Sequence, residues 1–139
     1  MTGGLLIEQH HGKDYVLCPF RRKWVRLTPE EEVRQRFLLV LVTQYGYPAS
    51  RVAVEAMLSS GQRADAVVYS KQLQPVMLIE FKAPSVPLTG RTLDQAAVYN
   101  RMLRVPLLVL HNGVQTVVAR VKDKEIEFLT DLPVYGNDN

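Results

Sequence analysis

The sequence predicts an α/β fold in which a mixed central β-sheet is flanked by helices. Two apolar runs, Ala64–Tyr69 and Pro75–Phe81, are separated by the polar segment Ser70–Gln74, a pattern typical of two strands joined by a short loop. Both runs are almost continuously apolar, so we expect strands that are buried on both faces beneath helices. A hairpin is antiparallel and a helical crossover joins parallel strands, so the sheet is expected to contain both kinds of pairing.

Length and composition indicate one globular domain. The chain has 139 residues, of which 47% are hydrophobic and 22% are charged, and these are ordinary globular values. We expect a single domain over 1–139, with 1–20 as an N-terminal extension and 134–139 as a flexible tail. The net charge of +3 and the pI near 9.1 permit an anionic partner without requiring one.

The same features indicate where the protein functions. Cys18 is the single cysteine of the sequence, so an internal disulfide is excluded and a reducing compartment is expected. No apolar stretch approaches the length of a membrane span, and the first residues lack the basic start and long apolar core of a signal peptide. We therefore expect a cytoplasmic protein with no membrane partner.

The first half of the chain predicts short strands followed by a helix. Short strands are expected on either side of a turn at His11–Asp14. Thr28 is suited to the N-cap of a helix that ends near Gly46, and Glu31 is suited to close a capping box with it. A strand is then predicted from Arg51 to Leu58.

The second half predicts a crossover helix and further strands. After the hairpin, a proline-containing loop leads to a helix over about Thr92–Leu103. A buried strand is predicted over Val105–Leu110, and Asn112-Gly113 is a strong signal for a hairpin. The returning strands are predicted over Val114–Val121 and Glu125–Phe128.

Three charged side chains interrupt the apolar strands of the central hairpin. Asp65 lies near the start of the first strand, whereas Glu80 and Lys82 lie at the end of the second. Residues two apart leave a strand on the same face. In a simple register Asp65 comes from the neighbouring strand near the same end, so the three side chains are expected to converge.

Two interpretations of this cluster are open from the residues alone. Two carboxylates are what Mg²⁺ commonly takes from a protein, with water and substrate phosphate as its other ligands. A lysine beside them can orient or deprotonate an attacking water, or balance developing charge. The alternative is a salt-bridge cluster that closes the strand ends.

A larger set of residues resembles a known family. Asp65 followed by Glu80-Phe81-Lys82 resembles the signature of the PD-(D/E)XK nuclease superfamily, and the ordered set is similar to the N-terminal nuclease domain of type I restriction enzyme R subunits and to small stand-alone proteins built from it. The residues that carry this resemblance, within about Arg21 to Pro133, are Arg22-Lys23-Trp24, Thr28-Pro29-Glu30-Glu31, Val33-Arg34-Gln35, Tyr47-Pro48, Arg63-Ala64-Asp65, Glu80-Phe81-Lys82-Ala83-Pro84, Asp94-Gln95, Tyr99-Asn100, Val105-Pro106 and Asn112-Gly113.

The resemblance implies a restriction-endonuclease-like core that hydrolyses DNA with Mg²⁺, or with Mn²⁺. It implies that Asp65 and Glu80 hold the metal with the backbone carbonyl of Phe81, and that Lys82 serves the attacking water. It also implies that a glutamate of the first helix contributes to the site. Glu31 best matches that position, with Glu30 next and Glu32 after it, and Glu31 is equally suited to helix capping.

The resemblance adds Gln95 to the catalytic site, and four further residues, Tyr99, Arg22, Lys23 and Arg91, are predicted to bind DNA. The family carries Gln-x-x-x-Tyr after its ExK, which Gln95 and Tyr99 match, and such a pair can bond a catalytic carboxylate or a phosphate. Arg22 and Lys23 belong to the densest basic cluster, and Arg91 precedes the second helix. These basic side chains are expected either to contact phosphates or to form a solvated surface.

Two functions remain open at this stage. The first is a metal-dependent DNA endonuclease, with a homodimer needed to cut both strands. The second is a catalytically silent module of nuclease fold that binds DNA or assembles with motor or methylase subunits of a restriction system. The sequence contains no G-x-x-x-x-G-K-[ST] motif, so these 139 residues carry no P-loop motor.

Overall fold

In the residues described, the chain forms two β-sheets, two α-helical segments and a short 3-10 helix (Ala49–Arg51), which together make a mixed α/β architecture. The parts that this computed structural model describes are residues 4–57, 61–95, 104–122 and 125–136. The smaller sheet is antiparallel, with strand order β1-β2-β3. Its strands are β1 (Ile7–His10), β2 (Lys13–Cys18) and β3 (Lys23–Arg26). The sequence predicted strands on either side of the turn at His11–Asp14, whereas β3, in the basic cluster, was not foreseen.

The first helix, α1 (Pro29–Tyr45), begins and ends where its capping residues predict. The backbone N–H of Glu31 donates to Thr28 Oγ1 at 3.0 Å, and Gly46 ends the helix with a φ of 76°, a conformation that glycine adopts without steric cost. The predicted capping box does not form, because the Glu31 carboxylate is engaged by side chains. Within the described residues, no helix has the length and apolarity needed to cross a membrane.

The larger sheet has six strands in the order β4-β5-β6-β7-β8-β9. β6 and β7 pair in parallel, and every other neighbouring pair is antiparallel. The prediction of a mixed sheet is therefore confirmed. The strands are β4 (Val52–Met57), β5 (Arg63–Tyr69), β6 (Pro75–Phe81), β7 (Leu107–His111), β8 (Thr116–Lys122) and β9 (Glu125–Leu129).

The crossover between the parallel strands contains the second helical segment, α2, which is described over 90–95. The helix predicted over Thr92–Leu103 starts two residues earlier than expected, and its remainder, 96–103, lies outside the described residues. Leu58, the predicted end of β4, also lies outside them.

Strand β7 differs from its prediction at both ends. Leu107 is its first residue because Pro106 lacks a backbone N–H, and the strand extends to His111. Val105, before the strand, is nonetheless buried.

Strand β6 supplies both layers of the hydrophobic core. Ile79 and Phe81 lie on the face that packs against Phe37 and other apolar residues of α1. Leu78 lies on the opposite face with alternate residues of β7, Leu108 and Leu110, and Leu93 of α2 packs against this second layer. Burial on both faces explains why the strand is almost continuously apolar.

The C-terminal segment returns to the end of α1. The backbone N–H of Tyr135 donates to the carbonyl of Tyr45 at 3.0 Å, and its ring centroid lies 5.2 Å from that of Tyr47. The sequence placed Tyr135 in a flexible tail over 134–139, because one aromatic residue in a polar stretch gives no periodic signal. Residues 137–139 lie outside the described chain.

The cap of α1 provides a direct test of helix stability. Thr28→Ala is expected to lower the free energy of unfolding by about 1 kcal/mol, because the Glu31 N–H loses its acceptor. Thr43→Ala in the same helix removes only a hydroxyl bond to the Leu39 carbonyl, and is expected to change stability by less than about 0.5 kcal/mol. Urea titrations of both variants measure the difference, and equal losses would contradict this assignment of the cap.

Candidate functional site

The register of β5 and β6 places two carboxylates opposite each other. Ala66 pairs with Ile79 in this antiparallel ladder. Asp65 precedes the first residue and Glu80 follows the second, so their side chains leave from facing positions on one face of the sheet. Oδ2 of Asp65 accepts a hydrogen bond of 2.8 Å from the backbone N–H of Phe81. This bond fixes the orientation of Asp65 at the end of the hairpin.

Glu80 is poorly satisfied in this position. Within the described residues, its Oε1 is a buried side-chain oxygen with no hydrogen-bond partner. Burial, followed by the nearby charge of Asp65, raises the pKa of Glu80 to about 8, although the attraction of Lys82 acts in the opposite direction. Two like charges cannot both be stable in such a site unless a proton or a cation joins them.

Lys82 completes the group that the sequence predicted to converge. It follows β6 directly, and its backbone N–H donates to the carbonyl of His111 at 2.9 Å. Its side chain is half-buried, and its charge reaches Glu80 strongly enough to oppose the rise in pKa of that carboxyl. Asp65, Glu80 and Lys82 therefore lie together at the ends of two adjacent strands.

Glu31 lies beside this group, but three side chains already bind its carboxylate. Arg34 donates to both carboxylate oxygens, Arg21 donates to Oε2 at 2.7 Å, and Gln35 donates to Oε2 at 3.0 Å. Burial acts to raise the pKa of Glu31, but these hydrogen bonds outweigh it and hold the pKa below its usual value. Glu31 is therefore a permanently charged anchor for two guanidinium groups.

A cavity of about 270 Å³ lies between Glu31 and Asp65, and neither Glu80 nor Lys82 is among the described residues that line it. Asp65 and Phe81 form one wall, and Glu30 and Glu31 come from the first turn of α1. Glu32 instead forms an ion pair of 2.9 Å with Arg36 and lines a different cavity. Of the three candidate glutamates, Glu30 and Glu31 therefore share a cavity with Asp65, and Glu32 does not.

Glu55 also lines this cavity. It forms an ion pair with Arg63 at 3.6 Å. Glu55 also accepts from Arg21 at 3.3 Å and from Arg34 at 3.2 Å. Its backbone φ of 54° is in the left-handed region, where a non-glycine residue is strained.

Two arginines that bind the glutamates of this cavity, Arg21 and Arg34, were absent from the predicted site. Arg34 lies three residues after Glu31, a helical spacing that places the two side chains on one face. The contact between Arg34 and Glu31 could therefore have been predicted from the sequence. Arg21 comes from the turn between β2 and β3, and its Nε donates to Cys18 Sγ at 3.3 Å. No periodic pattern in the sequence links that turn to α1.

The residues predicted to bind DNA lie elsewhere on the surface or outside the described chain. Arg22, Lys23 and Arg91 are exposed, and the structure brings their neighbour Arg21 to the cavity instead. Gln95 is exposed at the last described position of α2, and its predicted partner Tyr99 lies outside the described residues.

A larger cavity, of about 770 Å³, lies on the other side of the first turn of α1, and the one candidate site residue among the described residues that line it is Glu32. His111 lines it as the end of β7, half-buried, with its Nδ1 2.7 Å from Thr116 Oγ1 and its ring centroid 4.6 Å from that of Phe37. Burial lowers the pKa of His111. Cavity volume alone therefore does not identify the site, whereas the buried, unsatisfied carboxyl of Glu80 beside Asp65 points to the carboxylate pair.

The residues present fit a hydrated divalent cation rather than a closed metal cage. In the described ranges, no group of three or more His, Cys, Asp or Glu side chains is arranged to hold a metal. Mg²⁺ is commonly held by one or two carboxylates and keeps several waters. The unpartnered Oε1 of Glu80 facing Asp65 provides that donor set.

The raised pKa of Glu80 predicts a pH-dependent stability of the metal-free protein. The folded state holds this proton more tightly than the unfolded chain, so the stabilising contribution is complete below about pH 4.5 and is lost as the pH rises to about 8. In EDTA, the free energy of unfolding is expected to fall across this interval by up to about 1.4 kcal/mol per pH unit. Urea titrations should show that Glu80→Gln abolishes this component. Glu32→Gln should retain it, and equal slopes in both variants would contradict the assignment.

Comparison with known proteins supports the resemblance seen in the sequence. No curated protein matches the chain. A family model described as "Type I restriction enzyme R protein N terminus (HSDR_N)" matches residues 29–133. This range begins at α1 and contains Glu31, Asp65, Glu80 and Lys82, whereas Arg21 and the small sheet precede it. Since the match covers most of the chain, the protein belongs to the family of type I restriction enzyme R protein N termini.

Proposed function

We propose that the protein is a metal-dependent deoxyribonuclease with a PD-(D/E)XK site on a restriction-endonuclease-like core. The observation that carries this proposal is the buried, unpartnered oxygen of Glu80, which faces Asp65 beside Lys82. The relation to restriction R proteins supports DNA as the substrate. The reaction is hydrolysis of a phosphodiester bond by water, as in an endonuclease.

The two carboxylates would hold Mg²⁺, with Mn²⁺ as an alternative. Asp65 is oriented by the Phe81 N–H, and Phe81 lines the same cavity, so its carbonyl is the third proposed ligand. The bound ion would lower the pKa of water and stabilise negative charge on the phosphate. Cation binding would also remove the repulsion that raises the pKa of Glu80.

Lys82 is the proposed catalytic residue for the attacking water. Its position just beyond Glu80 on the same strand keeps its ammonium group near the carboxylate pair. An ammonium group can donate hydrogen bonds to a water and to a phosphate oxygen. Lys82 would therefore orient the nucleophile and offset the charge that develops on the phosphate.

We propose that the protein works with other components of a restriction system. The family is named for one segment of an R protein, which supports motor or methylase subunits as partners. One site cuts one strand, so cleavage of both strands would require two copies of the chain in a homodimer or two successive events.

A specific observation supports a second candidate, a catalytically silent DNA-binding or assembly module. No closed metal site of three or more acidic, histidine or cysteine side chains is present in the parts of the chain that the structure describes. In such a silent module, protonated Glu80 would pair with Asp65 and the pair would have only a structural role. Mg²⁺ binding and cleavage distinguish the two functions.

The nuclease proposal predicts cleavage that depends on Asp65 and Lys82. Supercoiled plasmid, linear duplex and single-stranded DNA are incubated with the protein in Mg²⁺ or Mn²⁺ and resolved on gels. Asp65→Ala and Lys82→Ala are each expected to reduce the cleavage rate by at least about 100-fold. Lys71→Ala removes the same charge from the exposed β5–β6 turn, and should leave the rate unchanged. DNA binding without cleavage in EDTA and Mg²⁺ alike would favour the silent module.

The division of roles predicts a different result for metal binding. Isothermal titration calorimetry with Mg²⁺ or Mn²⁺ is expected to show that Asp65→Ala and Glu80→Gln each abolish binding, because each removes a ligand. Lys82→Ala should bind metal at least as well as the unmodified chain, because it removes a nearby positive charge. If Lys82→Ala lost binding as completely as Asp65→Ala, the role of Lys82 would be wrong.

A further inference from the structure

At the cavity that Asp65 lines is a cluster of four charged side chains that the catalytic proposal leaves unused, three of which line the cavity. We call Arg21, Arg34, Glu31 and Glu55 the arginine cluster. The two arginine side chains are only 13% and 10% exposed. Buried guanidinium groups need hydrogen-bonded anions, so the identity of those anions decides what the cluster can bind.

The two glutamates of the cluster are held very differently. Glu31 is 8% exposed and its carboxylate receives donors from three side chains. Glu55 is 39% exposed, and its contacts with Arg21 and Arg34 are longer, at 3.3 and 3.2 Å. Glu31 is thus a fixed anchor, whereas Glu55 is the anion that can leave.

The positive charge of the two arginines in the cluster can be balanced by one fixed anion and one exchangeable anion. Arg21 and Arg34 carry two positive charges, and Glu31 neutralises one of them. Glu55 neutralises the other in the free protein, and it also pairs with the exposed Arg63 at 3.6 Å. A phosphodiester also carries one negative charge, and its two free oxygens match the forked donors of a guanidinium group.

The position of the cluster places this anion next to Asp65. Nη1 of Arg34 donates to the backbone carbonyl of Asp65 at 3.4 Å, and both residues line the same cavity. Glu55 lies on β4 opposite Asp65, between the paired residues Val54–Ala66 and Ala56–Ala64. A group that replaced the Glu55 carboxylate would therefore lie one strand away from Asp65.

We propose that Arg21 and Arg34 bind a backbone phosphate of DNA, and that the Glu55 carboxylate occupies this phosphate position until DNA displaces it. This inference rests on the proposed function for the identity of the substrate. It assigns Glu55 as a competing anion that weakens DNA binding, and it assigns Glu31 as the positioning residue that keeps both arginines in place. The left-handed backbone of Glu55 is consistent with a side chain held out over the cavity by these contacts.

The test measures DNA affinity without cleavage. The whole chain is titrated against a fluorescein-labelled DNA duplex in EDTA, and binding is followed by fluorescence anisotropy. Glu55→Gln is expected to bind the duplex about tenfold more tightly, equivalent to about 1.4 kcal/mol. Glu127→Gln is the matched control, because Glu127 is 68% exposed, pairs with Arg120 at 3.7 Å and lies on the opposite edge strand. The control removes the same charge and should change affinity by less than about twofold.

A double-mutant cycle separates displacement from general repulsion. In an Arg21→Gln background, Glu55→Gln is expected to produce less than about a twofold gain, because one of the two phosphate-binding groups is then absent. Circular dichroism and thermal melting verify that each variant is folded under the conditions of the titration. An unchanged or weaker affinity of Glu55→Gln would overturn the inference. A tenfold gain that persisted without Arg21 would also overturn it, since Glu55 would then only repel DNA.

The result of this binding experiment does not depend on whether the protein cleaves DNA. If cleavage required Asp65 and Lys82 but Glu55 and Arg21 were not coupled, the nuclease proposal would stand. The proposal that Arg21 and Arg34 bind a phosphate in place of Glu55 would be rejected. If Glu55 and Arg21 were coupled in DNA binding in EDTA but no cleavage occurred in Mg²⁺, the phosphate-binding proposal would stand. The protein would then be a catalytically silent DNA-binding module.

Discussion

The candidate site depends on the meeting of two like charges at the end of the β5–β6 hairpin. Antiparallel pairing places Asp65 and Glu80 at facing positions, and burial removes much of the water that would screen them. The consequence is a raised pKa for Glu80 and an oxygen without a partner in the described structure. Such an arrangement lowers stability unless a proton or cation compensates it, which is the usual signature of a functional site rather than of packing.

The rest of the architecture holds this unfavourable arrangement in place. Strands β5 and β6 are central in the sheet, with α1 packed against one face. The first turn of α1 adds Glu31, whose carboxylate holds Arg21 and Arg34, and Arg34 also bonds the carbonyl of Asp65. The candidate site thus places a carboxylate pair beside two guanidinium groups. In the proposed function the carboxylates would hold the cation and the guanidinium groups would bind a phosphate, and hydrolysis of a phosphodiester would use both.

The sequence predicted the parts of this structure that local patterns determine. The capped start of α1, the central hairpin and the convergence of Asp65, Glu80 and Lys82 follow from apolar runs, turn residues and the period of a strand. The ion pair between Glu31 and Arg34 could also have been predicted, because the two residues are about one helical turn apart. The prediction that Glu31 caps its own helix failed because buried arginines compete more strongly for a carboxylate than a backbone N–H does.

Other features could not be read from local patterns. Arg21 reaches the cavity from a turn of the small sheet, and Glu55 acquires two of its partners only when β4 pairs with β5. These contacts join residues far apart in the chain, and a single sequence contains no periodic signal for them. Tyr135 is similar, since its docking beside Tyr47 depends on where the chain returns rather than on its neighbours.

The central claim is that the facing carboxylates of Asp65 and Glu80 exist to hold a divalent cation. Anomalous diffraction from crystals soaked in Mn²⁺ tests this claim most directly, because the scattering locates the ion without assumptions about activity. The account predicts a manganese peak at about 2.0–2.2 Å from oxygens of both carboxylates. Occupied manganese sites elsewhere in the crystal, with Asp65 and Glu80 still bonded to each other through a proton, would contradict it.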